Sequence, residues 1–456
     1  MDSPPTQRIR PTPAHATDVD LTPVHVADIA EVDAGLAERY RSLGIATVNC
    51  RVGVTLGRAL GEPAPLDIAH AKEGLVGLGD VIAAGGMGEV HSAVQHRLRR
   101  EVAVKRARGD AAASTHQAML REAWIAGSLE HPNILPIHTL SRDGSEPLIV
   151  MKRVYGRVWT ELLRDQRLAP GDARWVEPIG VLVEVCRAVH SAHSRGVLHL
   201  DLKPDNVMVG EHGEVVLLDW GVAAAFDTSL APDFITRTDS ITHVCGTLGY
   251  LSPEQATAHG ASFGPTTDVY LLGAILHEII TGHPPHLSPH TSLVASLVSS
   301  HRAEPPVFDA SVPEELRAIA RRALLRAPAD RFPDVDAFRH ALELFLEHRP
   351  ALLLTAKADA LREEIAFARA SMSERSSMQA LNDEASTEAQ LDACRFAYQQ
   401  ALRSWPECEE AQKGLGALAE LRMAQAEATL DVAAGRSALD DHPAPPDDFL
   451  ARLHAL

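Results

Sequence analysis

The chain has 456 residues, a length that predicts two or three structural units. A formal net charge of −18 argues against nucleic acid or an anionic membrane as the main partner, and a hydrophobic fraction of 45% excludes wholesale disorder. The five scattered cysteines form no CxxC pair, which excludes a thiolate zinc site and favours a reducing compartment. Because no apolar run approaches the roughly 20 residues of a membrane span, and no signal-peptide pattern is seen, we expect a cytoplasmic protein.

Residues 1–77 are expected to be an N-terminal extension that is largely flexible. Residues 1 to about 30 are rich in Pro, Thr and Asp, which is typical of a flexible leader. Some helical order is expected after Val32, in the run VDAGLAERYRSLG. No role follows from this stretch.

From Leu78, short β-type runs separated by glycines predict a small antiparallel sheet. One amphipathic helix is expected between Ser114 and Glu130. Its predicted apolar stripe consists of Met119, Trp124, Ile125 and Leu129.

Beyond Tyr155 the pattern becomes mostly helical, and a sheet-rich part followed by a helix-rich part predicts an α+β fold in two lobes. Past about Arg349 the chain is rich in Ala and Glu, which predicts a separate all-α region over residues 348–456, after a domain spanning residues 78–347. The predicted helices of the second lobe are Val176 to Arg195, Thr267 to Thr281, Pro313 to Leu325 and Val335 to Glu347.

A glycine-rich run lies between the first two predicted strands. Glycines there let the backbone approach phosphates that a Cβ atom would obstruct. A glycine-rich hairpin is the plainer interpretation, whereas a dinucleotide-binding loop is excluded because a strand, not a helix, follows. The residues of the predicted phosphate-binding loop are Ala83, Gly85, Gly86, Met87, Gly88 and Val90.

Lys105 ends the strand that follows this loop, and the next helix carries Glu122. A lysine at the end of a strand is usually a solvated surface residue. An ion pair between Lys105 and Glu122 would instead hold the ammonium group against the α- and β-phosphates of ATP.

The run VLHLDLKPDNV places a carboxylate, a cation and a carboxamide within six residues. Asp201 is predicted to orient a substrate hydroxyl, and Lys203 to neutralise charge on the γ-phosphate. Asn206 and Asp219, the latter after a short apolar strand, are predicted magnesium ligands. The run VLHLDLKPDNV followed by a short apolar strand and Asp219, in this order and at this spacing, is very improbable by chance.

At this point the sequence resembles the eukaryotic-type protein kinases, and specifically their bacterial serine/threonine branch. The motifs GGMGEV, VAVK, HPNI, DLKPDN, GTLGYLSPEQA and DVYLLG carry the resemblance over about residues 78–347. It implies the two-lobed kinase fold, with ATP and Mg²⁺ as cofactors and Mn²⁺ as an alternative metal. It also implies protein substrates with Ser or Thr acceptors, because Lys203 and Thr247 match the hydroxyl-positioning set of that branch.

The resemblance implies roles for further residues. Glu254, in the Ser-Pro-Glu that closes the activation segment (residues 219–254), is expected to pair with Arg331. Asp268 is expected to brace the run VLHLDLKPDNV (residues 197–207), which is called the catalytic loop below. Residues 152–154 are expected to form the hinge that contacts adenine, with Met151 guarding the pocket behind it. The further residues expected around the nucleotide are Val90, Ala103, Val154 and Met208.

Three positions depart from the family pattern. Ala83 replaces the first loop glycine, which predicts a modest loss of nucleotide affinity, and Trp220 replaces the usual Phe after the metal-binding Asp. Leu200 replaces the Arg that usually binds a phosphorylated activation loop, and leucine cannot bind phosphate. We therefore expect activity without that contact, although another basic residue, such as Arg237, is an alternative partner. The candidate autophosphorylation sites are Thr236, Thr238, Ser240 and Thr242.

In the C-terminal region, Cys394, Tyr398, Ala401 and Pro406 follow the spacing of a tetratricopeptide repeat. The match covers about one repeat and a half, so a generic helical hairpin is an equal alternative. The segment must pack on something else, and the helix around residues 351–370 is one candidate. A true repeat would bind a protein partner. The tail from about Pro443 is expected to fray.

Three other functions are alternatives to a protein kinase. A catalytically dead scaffold usually lacks the lysine, the catalytic Asp or the metal-binding Asp, all of which are present here. A small-molecule kinase usually lacks the segment around Thr247 and Glu254 that forms a peptide platform. An adaptor whose main role lies in the C-terminal region would use catalysis only to regulate itself.

Overall fold

The computed structural model describes residues 21–51, 76–85, 88–108, 113–143, 146–166, 173–287, 292–371 and 380–456. The chain divides into two compact units, and the division falls between Leu342 and Glu343. Within the described ranges, none of the helices combines the length and the apolar character that a membrane crossing requires.

The described part of the N-terminal extension forms a small folded cap, residues 21–51. Its two strands pair antiparallel, and the Asp33 side chain caps the second helix by accepting a hydrogen bond from the Leu36 amide at 3.0 Å. This corrects the expectation of a flexible extension for residues 21–51, because the apolar faces of both helices are buried. The elements are β1 (Leu21–His25), α1 (Val26–Val32), α2 (Ala34–Ser42) and β2 (Thr47–Arg51).

The small lobe is an antiparallel five-stranded sheet in the order β3-β4-β5-β7-β6, with one helix packed on it. Side chains alternate along β5, so Val102 and Val104 enter one apolar cluster while Lys105 lies on the opposite face, toward α3. Its elements are β3 (Gly77–Gly85), β4 (Gly88–Gln95), β5 (Arg100–Arg106), α3 (Ala113–Ser128), β6 (Ile137–Asp143) and β7 (Glu146–Lys152).

The predicted apolar stripe of α3 holds for Met119 and Ile125, which are buried, and for Leu129 just beyond the helix. The prediction is wrong for Trp124, since 46% of its surface is exposed. Consecutive helical residues point about 100° apart, so Trp124 cannot share a narrow face with Ile125. Its ring instead meets the edge of Phe234 in the activation segment, with 6.0 Å between centroids.

The large lobe is helical, with short strands that present the catalytic loop. The four helices predicted there are all found, with ends that differ from the prediction, most of all for the last, which continues to Ser371. The elements are β8 (Gly156–Val158), α4 (Trp159–Gln166), α5 (Ala173–His193), β9 (Val197–Leu198), β10 (Val207–Gly210), β11 (Val215–Leu217), β12 (Ala224–Ala225), α6 (Pro253–Ala256), α7 (Pro265–Thr281), α8 (Leu293–Arg302), α9 (Glu314–Ala323) and α10 (Val335–Ser371).

Over the residues that the structure describes, the C-terminal unit is helical, as predicted. The helix around residues 351–370 does pack on the proposed repeat, since Ala358 shares a buried cluster with Cys394 and Tyr398. The tail does not fray as expected, because Phe449 is fully buried in a second cluster. The elements that follow α10 are α11 (Ala380–Ser404), α12 (Glu409–Thr429), α13 (Val432–Asp441) and α14 (Phe449–Ala455).

Candidate active site

Lys105 and Glu122 form the ion pair that the sequence predicts. The Lys105 Nζ lies 2.7 Å from both carboxylate oxygens of Glu122, and both side chains are largely buried. A bidentate, charge-assisted contact of this kind fixes the position of the ammonium group. The pair therefore ties the central strand β5 to helix α3.

The glycine-rich turn joins β3 to β4. Ala83 lies opposite Val90 in the ladder, and Gly85 lies opposite Gly88. Gly88 has φ +150°, and a Cβ atom there would lie 2.0 Å from the Arg106 carbonyl oxygen, so this position accepts only glycine. Of the other predicted loop residues, Gly86 and Met87 lie outside the described residues.

A cavity lies beside the Lys105–Glu122 pair. Ile149, Met151, Asp219 and Trp220 are among the residues that line it. The side chains of Ile149 and Met151 supply an apolar wall, which is typical of ligand pockets.

The remaining predicted nucleotide contacts lie on strands β5 and β10 and in the connection between β7 and β8. Ala103 of β5 is paired with Met151 of β7, and Met208 of β10 lies opposite Val158 of β8. Val154 lies in the connection between β7 and β8. Their contact with a nucleotide stays a prediction.

Asp268 of α7 holds the backbone of the catalytic loop in place. Its carboxylate accepts hydrogen bonds from the backbone amides of His199, at 2.8 Å, and Leu200, at 2.9 Å. It also accepts one from the His193 ring at 2.7 Å. Burial alone raises the pKa of Asp268, but these bonds and the nearby histidines outweigh it and lower the pKa. The group therefore stays ionised inside the lobe.

Asp201, Lys203 and Thr247 form one buried triangle. The Thr247 hydroxyl donates to Asp201 Oδ1 at 2.6 Å and accepts from Lys203 Nζ at 2.6 Å. Lys203 Nζ also lies 3.4 Å from Asp201 Oδ2. Both side chains are almost fully buried, and the pairing offsets the cost of burying two charges.

Asn206 and Asp219 are brought close by the β10–β11 hairpin. The Leu218 amide donates to the Asn206 carbonyl at 2.8 Å, which places Asp219 one residue further on. The Asn206 side-chain amide donates to the Asp201 carbonyl at 2.8 Å, so its oxygen is left for another partner. An amide oxygen and a carboxylate are ligands that Mg²⁺ accepts, and these residues therefore fit a magnesium ion.

Leu200 is buried in an apolar pocket. Its φ of 65° turns the backbone into the left-handed region, which is uncommon for a residue with a side chain. Its side chain contributes to a cluster that joins the catalytic loop to the activation segment through Ala224 and Ile241, together with Phe263. Arg237, the alternative phosphate partner, is already paired with Asp239 at 2.5 Å.

The expected pair of Glu254 and Arg331 is present. The guanidinium group donates to both carboxylate oxygens at 2.8 and 2.9 Å. Arg331 also donates to three backbone carbonyls, those of Leu325, Arg326 and Thr266. These five hydrogen bonds compensate the charge of the buried guanidinium group, as a buried charge requires.

Two positioning residues escaped the sequence analysis. His193 ends α5 and donates to Asp268, and Gln255 donates its amide to the Leu200 carbonyl at 2.7 Å and to the Cys245 carbonyl at 3.1 Å. The available signals were a histidine in the last turn of an apolar helix, and a glutamine directly after Glu254.

With this geometry in view, comparison with known proteins decides the family. The family profile described as "Protein kinase domain" matches residues 78–342, more than half of the chain. The chain belongs to the protein kinase family. Its small lobe is thus the β-rich lobe of a kinase domain, its large lobe the helical one, and the cavity beside Lys105 lies between them.

Curated relatives of this kinase domain are bacterial serine/threonine-protein kinases. The chain is 36% identical over 293 residues to a probable serine/threonine-protein kinase of Corynebacterium efficiens, covering 62% of this chain and 42% of that protein. It is 32% identical over 291 residues to PknD of Protochlamydia amoebophila (59% and 29%), and 36% identical over 274 residues to PknB of Mycolicibacterium smegmatis (58% and 41%). The chain therefore spans less than half the length of these relatives.

Proposed function

We propose that this protein is an ATP-dependent serine/threonine protein kinase. The observation that carries the proposal is the buried triangle of Asp201, Lys203 and Thr247, next to the intact Lys105–Glu122 pair. A scaffold that had lost catalysis would have no need to keep two buried charges, which are costly to bury. The names of the bacterial relatives support the same function.

In the proposed reaction, a substrate Ser or Thr hydroxyl attacks the γ-phosphorus of ATP. A new oxygen–phosphorus bond forms, the bond to the bridging β–γ oxygen breaks, ADP leaves, and Asp201 takes the hydroxyl proton. Lys105 positions the α- and β-phosphates, and Lys203 offsets charge on the γ-phosphate. Asn206 and Asp219 would hold Mg²⁺, which supplies further positive charge to the phosphate oxygens.

We further propose autophosphorylation of the activation segment in intracellular signalling. Of the four candidate hydroxyls, those of Ser240 and Thr242 are on exposed residues, whereas Thr238 is buried. The Ser240 hydroxyl already donates to the Arg237 carbonyl at 2.7 Å, which favours Thr242 as the acceptor. A cytoplasmic location is also proposed, supported by the free thiols of Cys186, Cys245, Cys394 and Cys408.

The proposed domain ranges are an N-terminal extension over residues 1–77, the kinase domain over 78–347 and a helical region over 348–456. A tetratricopeptide-like role in binding a protein partner is proposed for the last. It is supported by the tight packing of α11 on α12, where a Cβ atom on Gly414 would lie 2.3 Å from the Tyr398 ring.

The test of the function is incubation of the full chain with labelled ATP, Mg²⁺ and a basic acceptor protein, followed by mass spectrometry of the labelled residues. We expect label on Ser and Thr in the wild type, and a loss of about 10²–10⁴-fold in the Asp201→Asn variant. The exposed Glu211→Gln variant, ten residues away, is the control and should keep its rate. ATP binding without transfer in the wild type would contradict the proposal.

A further inference from the structure

The cap of residues 21–51 is docked on the activation segment. Ile29, Leu36 and Tyr40 are fully buried, and they share one apolar cluster with Leu248 and Leu251 of that segment. Leu248 directly follows Thr247, the residue that bonds both Asp201 and Lys203. The cap is therefore packed against the stretch of chain that borders the catalytic carboxylate.

The same cap is also fastened to helix α8. Leu297 and Val298 of α8 belong to the shared apolar cluster. Arg302, at the end of α8, donates to the Asp33 carboxylate at 3.3 Å and to the Val32 carbonyl at 3.0 Å. The cap thus joins two elements of the large lobe, and their buried residues Leu251 and Leu297 are 46 residues apart in sequence.

A hydrogen-bonded path leads from the cap to the catalytic loop. The Tyr40 hydroxyl donates to the buried Ala256 carbonyl. The neighbouring Gln255 side chain donates to the carbonyl of Leu200, the residue before Asp201. Gln255 and Ala256 both belong to α6, so a shift of this helix would disturb both hydrogen bonds.

We propose that the cap is a built-in brace, in which Tyr40 acts as a positioning residue that holds residues 246–258 in the arrangement that receives a protein substrate. Leu200 offers no partner to a phosphate, so the activation segment needs another constraint. The apolar cluster around Leu200 constrains one side of the activation segment, and the cap constrains the other. As a statement about catalysis, the inference rests on the proposed kinase function.

Two full-length variants test the brace, and the control lies on α2, the helix that carries Tyr40. Ile29→Asp places a charge in the interface, and we expect kcat/KM for a protein acceptor to fall about tenfold or more while KM for ATP changes less than about twofold. Tyr40→Phe leaves the Ala256 carbonyl without this donor, and about a threefold fall in kcat/KM is expected. Glu38→Gln changes a side chain of which 75% is exposed, and it should match the wild type.

Hydrogen exchange gives a readout that does not depend on activity. The amides of Tyr250 and Ala256 bond to the carbonyls of Thr247 and Ser252, at 3.2 and 2.9 Å. Both amides should exchange faster than in the wild type in Ile29→Asp, and measurably faster in Tyr40→Phe. If Ile29→Asp does not fold, the exchange in Tyr40→Phe still tests the brace. Free exchange of the amides of residues 21–51 would show that the cap has come away in a variant. If the exchange of the Tyr250 and Ala256 amides and the acceptor kinetics were unchanged in that variant, the brace would be overturned. If the wild type transfers no phosphate, the kinase function fails, and the exchange of these two amides still tests the contact.

Discussion

The catalytic loop of this kinase domain has two faces held by opposite kinds of interaction. On the polar face, Asp268 binds the backbone of His199 and Leu200, and Thr247 links Asp201 with Lys203. On the apolar face, the Leu200 side chain packs with segments that precede and follow the loop. One face fixes the atoms that react, and the other fixes the activation segment.

The difference shows what each kind of interaction contributes. Buried polar groups are directional and costly to leave unpaired, so the polar face defines a precise geometry. Apolar packing is less directional, but it needs no modification to form. We infer that in this chain the apolar face does the work that a phosphate and an arginine do elsewhere.

The largest effect on catalysis is expected from Asp268→Asn, which breaks the polar face. An amide keeps one acceptor oxygen and turns an NH₂ group toward a neighbouring donor. We expect stability to fall by about 2–4 kcal/mol, and kcat to fall about 10²-fold because Asp201 is misplaced. Chemical denaturation and steady-state kinetics measure both. The control is Asp239→Asn in an exposed ion pair, and equal effects for the two variants would contradict the account.

Leu200→Arg tests the apolar face. Restoring the residue usual in the family would bury a cation with no partner in this pocket, and we expect a loss of about 3–5 kcal/mol in the free energy of unfolding. Leu200→Met, which keeps the volume and the apolar character, should cost about 1 kcal/mol. If Leu200→Arg were as stable as the wild type, the pocket would not be apolar in the sense described.

Several polar groups of the site could be predicted from the sequence because they lie close together along the chain, whereas the roles of Thr247 and Asp268, which are distant in sequence, were implied by the resemblance to the protein kinases. Asp201, Lys203 and Asn206 fall within six residues, and Lys105 and Glu122 belong to consecutive elements. The two lobes and the helical C-terminal unit followed from hydrophobic periodicity.

The apolar contacts could not be predicted in the same way. The pattern from Val26 to Tyr40 is helical, but nothing in it identifies partners more than 200 residues away, such as Leu248. Leu200 was predicted to lose a phosphate contact, yet its apolar neighbours Ala224 and Phe263 are set by tertiary structure. Apolar packing has no residue-specific signature of its own, whereas buried charges do.

A smaller and gradual effect is expected from pH. Burial lowers the pKa of His199, His277 and His286, to about 4 for His277 and about 3 for His286. Unfolding restores a pKa near 6.5, so the unfolded state binds more protons as the pH falls below that value. Stability should therefore decrease by up to about 1.4 kcal/mol per pH unit for each such histidine as the pH falls from 6.5 toward 4.

Urea denaturation at pH 7.5, 6.5, 5.5 and 4.5 measures this slope. His277→Gln should remove one histidine's share of it, and His212→Gln in an exposed turn is the matched control. Stability that rises as the pH falls through this range would contradict the burial of these rings in neutral form.

The smallest effect, and the most direct test of the account, is expected from phosphatase treatment. The full chain should be dephosphorylated completely, checked by mass spectrometry, and assayed at once for transfer from labelled ATP to an added acceptor protein. Because the activation segment is held by the Leu200 cluster, most of the initial rate should remain. A near-total loss that returns with autophosphorylation would contradict the account, and would show that a phosphate still holds the segment.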